Sequence, residues 1–144
     1  MAREAQSKRC SVEYVQVSGL GRPVGEYSPV VSVRGARLLF VSGKVAVDEE
    51  GKIVGLGDIE AQCRQVMKNL KGALEAAGAH LDDVIKITAL LTDRAHSATW
   101  RRVRREFFTK NLPASTGFVV GALASDEYMI EIDAIAAVCD TEQA

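Results

Sequence analysis

The chain has 144 residues, enough for one domain with a single core and too few for two. Its composition is 47% hydrophobic, and 18 Lys and Arg nearly cancel 19 Asp and Glu to leave a net charge of -1, which argues against a disordered chain or a strongly polyanion-seeking one. No apolar run approaches the roughly eighteen residues of a membrane span, and the polar N-terminus lacks a signal peptide's apolar stretch, so a cytoplasmic protein with no membrane partner is expected.

Residues 1–144 read as one domain whose first dozen residues are expected to be flexible. Val30 to Arg34 and Leu38 to Ser42 are rich in β-branched and apolar residues, and the intervening Gly35-Ala36-Arg37 predicts a β-hairpin. Val45 to Val47 extends the sheet before a loop at Asp48-Glu49-Glu50-Gly51. From Asp58 the period changes: Ile59, Cys63, Val66, Met67, Leu70, Ala73, Leu74 and Ala77 recur at three- and four-residue steps, the mark of an amphipathic helix. Asp58 suits its N-cap and Gly78 its C-terminal stop. A strand over Val84 to Thr92 follows, then a helix over Ser97 to Lys110 with Trp100, Val103 and Phe107 inward, and strands over Thr116 to Val120 and Met129 to Val138. The order β-β-α-β-α-β-β predicts an α+β domain with helices on one face of a mixed sheet.

Three widely spread cysteines, Cys10, Cys63 and Cys139, show no disulfide or zinc spacing and read as reduced thiols, with Cys63 in the core. His80 and His96 read as satisfied surface imidazoles. The run Arg101-Arg102-Val103-Arg104-Arg105 reads as a solvated helix face with an Arg102 to Glu106 pair at i,i+4, and with the near-neutral charge no nucleic-acid partner is expected. Gly19-Leu20-Gly21 and Gly55-Leu56-Gly57 do not satisfy GxGxxG, and neither a Walker motif nor a GxSxG elbow occurs.

The last strand carries the feature that most needs explaining, because Glu131 and Asp133 interrupt an apolar run. Period two puts both acids on one face, with Ile130, Ile132, Ala134 and Ala136 on the other toward the helices. Acids are depleted in strands, and Ile135 and Ala137 continue the acidic face in apolar form, a combination that suits a subunit interface with a polar pocket. A carboxylate desolvated there is fitted for proton transfer. Ser42-Gly43 ends one strand, and Pro113-Ala114-Ser115-Thr116-Gly117 opens another.

These residues carry a resemblance. Val24-Gly25-Glu26-Tyr27-Ser28, Leu39-Phe40-Val41-Ser42-Gly43, the stretch from Gln62 to Leu70, Glu75-Ala76-Ala77-Gly78, Pro113-Ala114-Ser115-Thr116 and the stretch from Ile130 to Ala136 resemble, in order, the YjgF/YER057c/UK114 family of reactive intermediate deaminases, the Rid proteins. The resemblance implies a chorismate-mutase-like fold, a homotrimer with ligand clefts between subunits, and hydrolysis of 2-imino or enamine acids to 2-oxo acids and ammonia with no metal and no cofactor. It implies that Glu131 orients the attacking water and that Tyr27, Ser42, Gly43, Lys44, Ser115, Thr116 and Asp133 line the substrate pocket. The deaminases read Pro-Ala-Arg, with the arginine clamping the substrate carboxylate, where this chain has Ser115. Lys44 also stands in place of the usual glutamine. Lys44, Arg34 and Arg37 are the candidates to replace the missing charge. A non-catalytic metabolite-binding trimer is the alternative to the hydrolase.

Overall fold

Helix α1 (Ile59–Ala76) forms where the apolar period predicts it in the computed structural model, which describes residues 10–19, 21 and 25–140. Its N-cap is Asp58, whose Oδ1 accepts the Ala61 N–H at 3.1 Å. It stops at Gly78, which takes φ +72° and donates its N–H to the Glu75 carbonyl. Gln62 is fully buried among the apolar residues of this helix. Its Nε2 donates to the Gly55 and Glu127 carbonyls, and its Oε1 accepts the Met129 N–H, so one side chain satisfies three backbone groups on two loops.

The strands are β1 (Ser11–Val15), β2 (Val30–Arg34), β3 (Arg37–Lys44), β4 (Val84–Leu91), β5 (Ala114–Val119) and β6 (Ile130–Val138); α2 (Ser97–Phe107) lies between β4 and β5. Four strands form the main sheet in the order β3-β6-β4-β5. Only β4 and β5 run parallel, the pairing that requires a crossover, and α2 supplies it. The result is the α+β arrangement read from the sequence, with a mixed sheet and two helices. The core lies between them, where Val66, Met67, Leu70 and Leu74 of α1 and Val103 of α2 meet Ile87, Ile130, Ile132 and Ala136 of the sheet.

The expected hairpin is not formed. Gly35 turns the chain at φ +66°, but β2 pairs with β1 in a separate two-stranded ribbon while β3 pairs with β6. The partners are chosen by burial: Leu39 and Val41 of β3 pack against the core beside β6, whereas β2 buries no residue fully. Val45 to Val47 does not continue β3, and Val47 makes a single bridge to Ile53.

The cysteine reading is corrected in part. Cys63 is a buried free thiol, pushed up to about 12 by burial. Cys10 and Cys139 form a disulfide with Cα atoms 5.5 Å apart, within the span such a bond needs. Nothing in their sequence spacing signals it, because they are 129 residues apart and meet only when β1 reaches the end of β6. His96 is also not satisfied, since its Nδ1 is buried without a hydrogen-bond partner among the described residues. Of the N-terminal dozen expected to be flexible, residues 1–9 lie outside the described residues, and Ser11 and Val12 belong to β1. Val24 and Leu20 of the motifs quoted above also lie outside them.

Two expectations follow. Replacing Gln62 with Leu removes the side-chain partner of the Glu127 carbonyl and the Met129 N–H, while the Gly55 carbonyl keeps the Asp58 N–H, and is expected to lower unfolding free energy by about 1–3 kcal/mol, read from the denaturant midpoint. Thiol titration of the unfolded chain is expected to find one free thiol without reductant and all three cysteines after reduction.

Candidate functional site

The alternation on β6 decides where the acids go. Ile130 and Ile132 are fully buried against the helices, so Glu131 and Asp133 project from the opposite, open face of the sheet. Glu131 stands opposite Leu90 of β4, and Asp133 stands opposite Thr88, whose other neighbour is Thr116 of β5. Asp133, Thr88 and Thr116 thus make a polar row across three strands. Lys86 extends it by donating from Nζ to Thr116 Oγ1.

Beside Glu131 the β3–β6 ladder shifts register between Val41 and Lys44, and Ser42 and Gly43 fall in that irregularity. A Cβ at position 43 would lie 1.9 Å from Glu131 Oε1, so the carboxylate occupies the space that the missing side chain leaves. Ser42 and Gly43 are exposed, and the Lys44 ammonium reaches Ser42 Oγ at 3.4 Å. Around them the open face is apolar: Phe40 is 75% exposed, with Leu38 and Phe118 about half exposed. Among the described residues no three His, Cys, Asp or Glu side chains gather as a metal site.

Tyr27 and Ser115 are not with this group. Ser115 pairs with Ile87 of β4 and faces the helix side of the sheet, on the edge strand opposite β3. Tyr27 reaches the same region because Ser28 zips its loop to the β5 approach, donating from its N–H to the Pro113 carbonyl at 3.2 Å and from its hydroxyl to the Leu112 carbonyl at 2.6 Å. Both residues line a cavity of about 260 Å³ together with Trp100, Arg101 and Arg104 of α2.

Arg104 overturns the reading of the arginine run as a solvated face. It is 6% exposed, and its guanidinium donates to Ser115 Oγ and to the Glu26 carbonyl, both at 2.6 Å. Burial pushes its pKa below the usual arginine value, and the Glu26 charge opposes that shift. The signal was present in the sequence, since Arg104 lies four residues after Trp100 and therefore on the inward stripe. The other arginines behave as read: Arg102 reaches Glu60 at 2.6 Å and Glu106 at 3.9 Å, and Arg105 reaches Glu26 at 2.9 Å. Of the candidates for a replacement charge, Arg37 is taken by Asp140 at 3.1 Å, and Arg34 lies on β2 in the separate ribbon.

Residues 20–138 match the family model described as Endoribonuclease L-PSP. A RutC family protein of Pyrococcus horikoshii is 37% identical over 86% of this chain and 96% of its own. The 2-iminobutanoate/2-iminopropanoate deaminase of Rattus norvegicus is 35% identical over 78% of this chain and 80% of its own. Among solved structures, YyfB of the Rid protein family from Yersinia pestis superposes with a TM-score of 0.80 at 29% identity, covering 88% of this chain and 98% of that one.

The contact of Glu131 with Gly43 makes a prediction that Gly72 controls. Gly43→Ala must displace the carboxylate and is expected to lower stability by about 1–3 kcal/mol in denaturant titration. Gly72→Ala on α1, where an added Cβ meets nothing, is expected to raise stability by about 0.5–1 kcal/mol.

Proposed function

The chain belongs to the endoribonuclease L-PSP family, the family of the Rid proteins, and from that premise we propose that it is a hydrolase of small imines or enamines. Glu131 is the group that handles protons. Water held by its carboxylate adds to the C=N carbon as one water proton passes to Glu131 and the π pair moves to nitrogen. The carboxyl returns that proton to the nitrogen to give a carbinolamine. Glu131 then passes the carbinolamine's hydroxyl proton to the nitrogen as the C–N bond breaks and the C=O bond forms, so that ammonia leaves behind a carbonyl compound. Atoms balance with one water consumed per ammonia released, and no cofactor takes part.

The placement of Glu131 carries this reading. It is a half-buried carboxylate held against the bare backbone of Gly43, the neighbour of the exposed Ser42, with Asp133 two residues along the same face. Such a site offers a base and exposed polar groups within reach of a small polar molecule. The similarity to the rat 2-iminobutanoate/2-iminopropanoate deaminase supports the reaction class.

Assembly is part of the proposal. Within one chain the Glu131 group and the Tyr27–Ser115 cavity lie on opposite faces of the sheet, toward opposite edge strands. A homotrimer that buries Leu38, Phe40 and Ile135 would bring the first group of one copy to the second group of another, and the exposure of Phe40 favours it. The reading of a non-catalytic metabolite-binding trimer is favoured by one observation, the hydroxyl of Ser115 where the deaminases carry an arginine.

The two readings part on turnover. With freshly generated 2-iminobutanoate, the wild-type protein is expected to release ammonia and 2-oxobutanoate faster than buffer, and Glu131→Gln is expected to lower that rate by about 100-fold or more. Turnover no faster than buffer with this and other small imines sinks the hydrolase and leaves the binding trimer.

A further inference from the structure

We infer that Arg104, reaching the cavity between α2 and β5 from the helix, is the residue of this chain that holds and selects the carboxylate of a small acid. The inference deepens the proposed function by naming the residue that reads the acid group where the strand carries none. It rests on the hydrolase reading only for the bond that is broken.

The arginines of α2 are sorted by charge partner. Arg102 and Arg105, on the outer side, form ion pairs with Glu60, Glu106 and Glu26. Arg101 and Arg104, which line the cavity, form no ion pair with any described residue. Arg104 donates only to neutral oxygens, the Ser115 hydroxyl and the Glu26 carbonyl; the Glu26 carboxylate acts on it through space but is paired with Arg105, so no described acid is in contact with the buried guanidinium. A buried charge with no acid in contact is costly, and an anionic ligand would supply one.

The surroundings narrow the anion. At about 260 Å³ the cavity lies at the small end of ligand sites, too small for a nucleotide. Leu91, Trp100 and Val119 give it an apolar wall that suits a short aliphatic chain. A planar guanidinium matches a carboxylate with two parallel N–H donors. The Ser115 hydroxyl accepts from Arg104 and keeps its own proton free to donate to the ligand. Ser115 is therefore not a vacancy in the motif, because the guanidinium that a Pro-Ala-Arg segment carries on the strand is delivered here from the helix one layer above.

Equilibrium binding to the full-length protein tests this without turnover. Titration with 2-oxobutanoate and with its neutral amide is expected to show wild-type preference for the acid by roughly tenfold or more. Arg104→Met is expected to erase the preference, Arg104→Lys to keep part of it, and Ser115→Ala to weaken acid binding a few-fold while the fold, followed by circular dichroism, is retained. Equal binding of acid and amide by the wild type, no binding of either, or a preference that survives Arg104→Met overturns the inference. So does tighter binding of inorganic phosphate than of the acid. The wild-type comparison stands even if the Arg104 variants fail to fold. Acid selectivity without imine turnover leaves this inference in place and sinks the hydrolase, whereas turnover without acid selectivity does the reverse.

Discussion

Strand β6 is constrained on every side. It is paired along both edges, with β3 and with β4, and its alternate residues meet different media. Ile130, Ile132, Ala134 and Ala136 must lie under the helices, because the core is built from them and from Val66, Met67, Leu70 and Leu74. That phase leaves Glu131 and Asp133 only the open face. A slip of one residue would bury two carboxylates and expose four apolar side chains, a change whose desolvation cost exceeds the stability of an ordinary small domain. The position of the acids is thus a by-product of core formation, and the absence of a side chain at Gly43 is what lets Glu131 settle beside the neighbouring strand.

Helix α2 solves a different problem with few apolar residues. Trp100 and Val103 anchor it, and Arg104 joins them on the inward side although it is charged. Its long aliphatic stem packs as an apolar group while the guanidinium finds oxygen acceptors at the strand edge and in the loop that carries Tyr27. One residue so ties helix, strand and loop together around the cavity. Arg102, two positions earlier, bridges to Glu60 of α1 instead, and Arg64 reaches both Glu60 and Glu106. These ion pairs are solvent-screened and orient the two helices more than they stabilise them.

The β1–β2 ribbon adds a third layer of constraint outside the main core. Its pairing buries little, and the Cys10–Cys139 disulfide ties the start of β1 to the residue after β6. Closing a loop of 129 residues removes much of the freedom of the unfolded chain. Arg37 and Asp140 pair nearby on the surface, which removes Arg37 from any role at the site.

The elements were largely legible in the sequence because periodicity and capping are local: the step pattern and Asp58 to Gly78 place α1, and strict alternation places Glu131 and Asp133 on one face of β6. Strand pairing was not legible, since β2 and β3 are joined by a good turn yet pair elsewhere, and burial of Leu39 and Val41 settles which strands meet. Nor was the disulfide, whose halves are distant in the chain. Arg104 stood at helical spacing from Trp100, but whether an arginine at a helix boundary face is wet or buried depends on what packs over it. The Ser115 hydroxyl and the Glu26 carbonyl receive it, and only the tertiary structure brings them there. The sequence determined which chemical groups this protein has and on which face of each element they stand. The fold decided which of them share a space, because contact between distant segments follows from packing and not from any local rule.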